Sequence, residues 1–153
     1  MKLEPVEEEH YKFLYRLLSQ REPHQNISHQ IMPTFSAHVN FVDSHPYAEW
    51  YVIVVDDLYV GSIYLTKARE IGLFIDRKYR RAGLGTIALN KLIQRTHVRP
   101  LYANISPNNP MSEEFFKRNE FKFLRLDSGP NNKTLQVVYN YTITPSDFYG
   151  ARD

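Results

Sequence analysis

The chain has 153 residues, 42% of them hydrophobic and 14% aromatic, enough to bury the core of one domain. Its 19 Lys and Arg against 17 Asp and Glu leave a net charge of +2, which excludes a charge-driven nucleic-acid partner. Cysteine is absent, and with it disulfides, thiolate nucleophiles and cysteine metal sites.

A short strand is expected over residues 2–5, then a helix over residues 7–20, where Tyr11, Leu14, Leu17 and Leu18 form an apolar stripe. Residues 21–33 are polar and loop-like. Thr34 or Ser36 can cap a second helix bearing Phe35, Val39 and Val42, which ends at His45 and Pro46. Residues 50–55 and 58–65 read as a hairpin over Asp56 and Asp57. Ile71, Leu73 and Ile75 then alternate with Glu70, Gly72, Phe74 and Asp76, the period of a strand with one face on a core. After Gly85 the period turns helical through Ile87, Ala88, Leu92 and Ile93, with Leu84 before them, and stops at Thr96 and His97 ahead of Pro100. A strand over 101–105, a helix opening at residues 109–112, and strands over 121–126 and 134–143 joined by a turn at 128–132 complete the order βααβββαβαββ. The order is that of an α/β layer architecture in a single domain, residues 1–145, with a C-terminal tail at 146–153. The acidic first nine residues and the lack of an apolar run near ~18 residues give the expectation of a cytoplasmic protein with no signal peptide and no membrane partner.

The segment between the third apolar strand and the next helix is the informative one. It places four cations, Arg77, Lys78, Arg80 and Arg81, before Ala82, Gly83, Leu84, Gly85 and Thr86. Glycines there let bare N–H groups approach an anion, and the positive end of the following helix favours it, which is how a protein grips a diphosphate. A nucleotide P-loop requires Gly-Lys-Ser/Thr, and no lysine separates Gly85 from Thr86. Gly83-x-Gly85-x-x-Ala88 satisfies the relaxed dinucleotide pattern, but a basic segment intervenes after the strand and the acidic ribose partner is missing, the next acids being Glu113 and Glu114.

Arg80-x-x-Gly83-x-Gly85 remains, followed by a strand containing Asn104, then Asn109-x-x-Ser112 and Phe116-x-x-x-Glu120-Phe121. In these residues, and in element order over about residues 48–127, the chain resembles the GNAT superfamily of acetyl-CoA-dependent N-acetyltransferases. The resemblance implies a mixed, mostly antiparallel central sheet flanked by helices and splayed between the fourth and fifth strands. It implies acetyl-CoA as co-substrate, bound by Phe74 and Ile75 on the strand, by Arg80, Arg81, Ala82, Gly83, Leu84, Gly85 and Thr86 at the diphosphate, and by Asn104, Asn109, Ser112 and Phe116 along the arm. The acceptor it implies is a primary amine of a small molecule, such as an amino sugar, or of a peptide N-terminus, served by a monomer or homodimer.

Acetyl transfer needs a proton acceptor, since an amine with pKa near ~10.4 is protonated at neutral pH. Glu70 is the candidate base, placed before Gly83 much as the carboxylate of some family members, and the oxyanion donor is expected to be a backbone N–H of Phe74 or Ile75. Two positions depart from the family. Phe116 stands where many relatives have an acidic tyrosine, leaving Tyr102, Tyr64, Ser112 or water to assist the departing sulfur, and Glu120 replaces a glycine. The acceptor cleft is expected between residues 24–34 and the central strands, with His29, Trp50 and Tyr64 at the substrate and His24, Asn26, His38 and Tyr47 nearby. No metal is expected, because His24, His29 and His38 are scattered in spacing. Two alternatives stand beside this reading: a silent acyl-CoA-binding module of the same fold, and a small dinucleotide-dependent oxidoreductase using residues 83–88.

Overall fold

Where apolar residues alternate the chain runs straight, and where they recur at helical spacing it winds. In the computed structural model, which describes residues 1–21, 31–80, 82–128 and 135–144, the elements are β1 (Lys2–Pro5), α1 (Tyr11–Ser19), α2 (Phe35–Asp43), β2 (Glu49–Val55), β3 (Leu58–Leu65), β4 (Ile71–Ile75), α3 (Leu84–Arg95), β5 (Leu101–Ile105), α4 (Pro110–Arg118), β6 (Lys122–Ser128) and β7 (Leu135–Tyr141). Order and approximate bounds are those expected. The first helix is shorter than its stripe suggests, because Glu7 N–H donates to His10 Nδ1 at 3.0 Å and the chain makes a 3-10 turn, Glu8–His10, before α1. Thr34, not Ser36, caps α2, its Oγ1 accepting from Ala37 N–H at 3.1 Å. The tail at 146–153 lies outside the described residues.

Two antiparallel sheets result, β1-β2-β3-β4 and β5-β7-β6. Asp56 and Asp57 turn the β2–β3 hairpin with φ of 50° and 63°, the left-handed pair that matches strand twist. Between β4 and β5 there is a single parallel bridge, Glu70 with Tyr102, supported by Tyr102 N–H to Arg69 O at 2.8 Å. The sheets therefore meet where β4 begins and part beyond it, which is the expected splay.

Each face of β4 packs on its own core. Ile71, Leu73 and Ile75 lie with Ile63, Leu89, Leu92 and Leu101, while Phe74 sits on the opposite side with Val52, Val54 and the α1 residues Phe13, Leu14 and Leu17. Leu89 and Leu92 are 0% exposed, each burial being worth about 1.5–3 kcal/mol, so α3 stays docked although no side chain caps its start, a loss of about 1 kcal/mol. Glu120 closes α4 at φ 70°, a left-handed conformation that glycine adopts freely and that strains a side-chain-bearing residue by about 1–2 kcal/mol.

One buried charge ties the two faces together at the end of β4. Asp76 is 0% exposed, and its carboxylate accepts from Arg16 at 3.0 Å, Gln20 at 3.2 Å and Lys78 N–H at 3.1 Å. Gln20 Oε1 in turn accepts from Arg77 N–H at 2.9 Å, so the end of α1 is stapled to the segment entering the basic loop. Burial alone would raise the Asp76 pKa, but the hydrogen bonds from Lys78, Gln20 and Arg16 and the Arg16 charge outweigh it and hold the carboxyl below its usual range. A depressed folded-state pKa contributes stability above the unfolded value, lost as pH falls through the folded one. Asp76→Asn is accordingly expected to cost about 2 kcal/mol in urea unfolding at pH 7, with the gap from wild type narrowing toward pH 3. Equal stability at pH 7 would show that the ion pair does not form.

Candidate active site

Strand β4 pairs on one side only. Thr66 N–H donates to Glu70 O and Asp76 N–H to Val60 O, both at 2.8 Å, so residues 70, 72, 74 and 76 direct their backbone groups at β3. Leu73 and Ile75 then direct theirs into the gap from which β5 departs. Of the two amides expected as alternative oxyanion donors, that of Phe74 is used in the β3 ladder and that of Ile75 faces the opening. Arg80 is also turned differently from expectation. Its Nε donates to Ile75 O at 3.1 Å and its guanidinium lies 4.9 Å from the Phe74 ring centre, so it braces the strand end.

Beyond Ile75 the chain makes a 3-10 turn, Arg77–Tyr79, and enters α3 through Gly83, whose φ of 75° is left-handed and whose Cβ position has no neighbour within 4 Å. Ile87 N–H, bonded to Gly83 O at 3.4 Å, begins the helix's ladder, and among the described residues no side chain caps the N–H groups of Leu84, Gly85 and Thr86. Orphan donors at a helix start favour an anion, and the exposed Ala82 precedes them in the chain. A Cβ at Gly85 would lie 3.4 Å from Phe115 and 3.6 Å from Leu73, ordinary contact distances, so this helix start packs against both α4 and β4. Phe115 had no signal in sequence beyond its place in an amphipathic helix. Arg81 lies outside the described residues.

Where β4 begins, Glu70 is half-buried and its carboxylate accepts a short hydrogen bond from Asn104 Nδ2. Burial pushes its carboxyl above the usual carboxylate range. Asn104, expected on the cofactor arm, thus serves the candidate base. Asn109 caps α4, its Oδ1 accepting from Ser112 N–H at 3.2 Å. Phe116 is 6% exposed with its ring against Phe115 and Phe121, a core residue in place of the cofactor contact expected.

On the opposite face of β4, α1 and α2 wall a cavity of about 170 Å³ whose lining includes Tyr47, Trp50, Ser62, Tyr64, Phe74 and His38. Trp50 and Tyr64 come together there as expected; His29, with His24 and Asn26, lies outside the described residues. Tyr47 stacks on Tyr64 at 3.9 Å and 2°, and Trp50 Nε1 donates to Ser62 Oγ at 2.8 Å. The Tyr64 ring rests on Gly72, where a Cβ would fall 2.0 Å from its Cζ, so glycine is what admits the ring between Glu70 and Phe74. Burial, then the neighbouring Tyr64, push the Tyr47 hydroxyl up, against the opposing charge of Arg21. Leu14 and Leu17, which belong to the apolar part of this lining, read in sequence only as a helix stripe.

A family model described as an acetyltransferase (GNAT) domain matches residues 1–122. Among solved structures the chain is similar to RimL, a ribosomal L7/L12 alpha-N-protein acetyltransferase in complex with coenzyme A, at 16% identity and TM-score 0.74 over 92% of this chain and 93% of that one. It is similar to an acetyltransferase from Thermus thermophilus at 24% identity and TM-score 0.75, over 93% and 96% of the two chains. A chimera of the spermidine N-acetyltransferase SpeG from Vibrio cholerae and hSSAT matches at 14% identity and TM-score 0.77, over 98% and 99%. No curated protein gives a match. Among the described residues, no helix is long and apolar enough to cross a membrane. With the family model spanning most of its length and the parted sheet and uncapped helix start in place, the chain belongs to the GNAT acetyltransferases, whose co-substrate is acetyl-CoA.

Proposed function

We propose that the chain moves the acetyl group of acetyl-CoA onto a primary amine, of a small molecule or of a peptide N-terminus, at the open edge of β4. One juxtaposition carries the reading. A half-buried carboxylate, Glu70, stands where β4 begins, the edge of Leu73 and Ile75 that β5 does not pair follows, and the start of α3 lies past its end. The residues present suit the co-substrate: the N–H groups of Leu84, Gly85 and Thr86 for the diphosphate, and the open edge for the amide-bearing arm. Acetyl-CoA supplies an acetyl group already activated as a thioester.

The protein's share is proton and charge management. A carboxylate raised by burial accepts a proton more readily near neutral pH than an exposed one, which fits Glu70 for taking the proton from an ammonium, directly or through water. The Ile75 N–H is placed to stabilise charge gathering on a carbonyl oxygen, and a thiolate with pKa near ~8.5 departs with little help, consistent with a Phe116 that has no hydroxyl and lies in the core. An amino sugar calls for many polar partners, whereas the cavity beside β4 is walled largely by aromatic and aliphatic side chains, which favours an amine on an apolar body.

Gly83→Asp is expected to abolish CoA binding while leaving the fold intact, because it puts a carboxylate at the anion site and a side chain at φ 75°; retained micromolar affinity by calorimetry would remove the site from this loop. Glu70→Gln is expected to lower turnover about a hundredfold with CoA affinity unchanged. Wild-type rate should fall as pH drops through the raised Glu70 value, and this acid limb should flatten in the variant. An unchanged pH profile would take Glu70 out of the mechanism. Bound CoA with no amine-dependent release of free CoA, across a broad acceptor panel, would instead support the silent module.

A further inference from the structure

The cavity beside β4 holds two polar groups that its own packing leaves unanswered. His38 is 5% exposed in the cavity wall, and its Nε2 has no hydrogen-bond partner among the described residues. Leaving such a group unmatched costs about 1–3 kcal/mol, a penalty that a ligand atom would relieve. Arg21, just past α1, lines the same cavity with its guanidinium 5.8 Å from the Phe74 ring centre, and among the described residues it makes no ion pair. Its charge is felt at the Tyr47 hydroxyl in the same lining. No Asp or Glu is among the described residues of that lining.

A permanent cation, an imidazole kept neutral by burial, and aromatic walls around about 170 Å³ discriminate sharply among amines. A polyamine would bring several ammonium groups toward Arg21 with no carboxylate to receive them, which desolvation makes unfavourable. A plain apolar amine would fill the volume, which is comparable with cavities that hold a benzene ring, but would leave Arg21 and His38 unanswered. A zwitterion with an apolar side chain satisfies all three features.

We propose that the acceptor is a free α-amino acid with an apolar side chain of about one ring or one branched chain, its carboxylate held by Arg21 with His38 and its side chain packed among Tyr47, Trp50, Tyr64 and Phe74. This rests on reading the open edge of β4 as the site of acetyl transfer. The ammonium gives one proton to Glu70, the neutral nitrogen then forms the new N–C bond as the thioester C–S bond breaks, and the second proton lost from nitrogen passes through water to the departing thiolate, so charge and atoms balance. Arg21 and His38 are specificity residues here; the chemistry belongs to the β4 edge.

The test compares L-leucine and L-phenylalanine with isoamylamine and phenethylamine, the same bodies without a carboxylate, with L-leucinamide as a mimic of a peptide N-terminus, and with spermidine. Two readouts are used: acetyl-CoA turnover, and calorimetric binding to the enzyme–CoA complex. Expected is a preference of about tenfold or more for the amino acids in both readouts, reduced to about twofold in Arg21→Gln, with CoA affinity unchanged and with His38→Phe weakening amino-acid binding severalfold. Equal use of isoamylamine or leucinamide, a preference untouched by Arg21→Gln, or no saturable binding of either amino acid would overturn the assignment. The two readings fail separately. Leucine bound through Arg21 without release of free CoA would leave the occupant standing and remove acetyl transfer, while rapid acetylation of isoamylamine or spermidine would do the reverse.

Discussion

The backbone of β4 is bonded to β3 on one edge and to nothing regular on the other, and the rest of the site depends on that asymmetry. A buried amide without a partner is costly, so a strand this close to the core keeps an open edge only where solvent or a ligand can reach it. The single bridge between Glu70 and Tyr102 pins the two sheets at one end, and past that point each sheet completes its hydrogen bonds within itself. Because the ladder phase alternates, the parting exposes Leu73 and Ile75 and spares Phe74, whose side chain is freed to wall the cavity on the other face. One strand therefore presents backbone to one side and an aromatic ring to the other.

Helix α1 serves both sides of that strand. Leu14 and Leu17 form cavity wall, Arg16 and Gln20 grip the buried Asp76 at the strand's end, and Gln20 also holds the Arg77 amide where the basic loop begins. Arg21 follows immediately and projects its charge into the cavity. Hydrogen bonds to a buried carboxylate are stronger than neutral ones, so this staple is a stiff connection between the cavity wall and the glycine turn before α3. On the far side Gly85 brings Phe115 and Leu73 together, and the helix start is located by apolar contact where side-chain capping is absent.

Much of the site was legible because it depends on short stretches of chain. The glycines at 83 and 85, the cations before them and the change of period at Leu84 are local features, and the structure has the uncapped turn they call for. The helix opening at residues 109–112 was legible for the same reason. Phe116 and Asn104 were not. One is two turns into a helix whose buried face depends on how α4 meets Phe121, and the other finds Glu70 across 34 residues of intervening chain. Arg21 carried no signal either, since a cation at a helix end is ordinary until Phe74 and Tyr47 are seen beside it.

By itself, then, the amino-acid sequence determined the element order, the hairpin at Asp56 and Asp57, and the glycine turn that opens α3, all of which follow from dihedral preferences and hydrophobic period within about a dozen neighbouring residues. Only the tertiary structure decided which β4 amides face the gap, which carboxylate is partnered by Asn104, and what charge the cavity carries. Those outcomes are set by ladder phase and by packing between distant elements, where the energy of a contact depends on what else has already been brought to the same place.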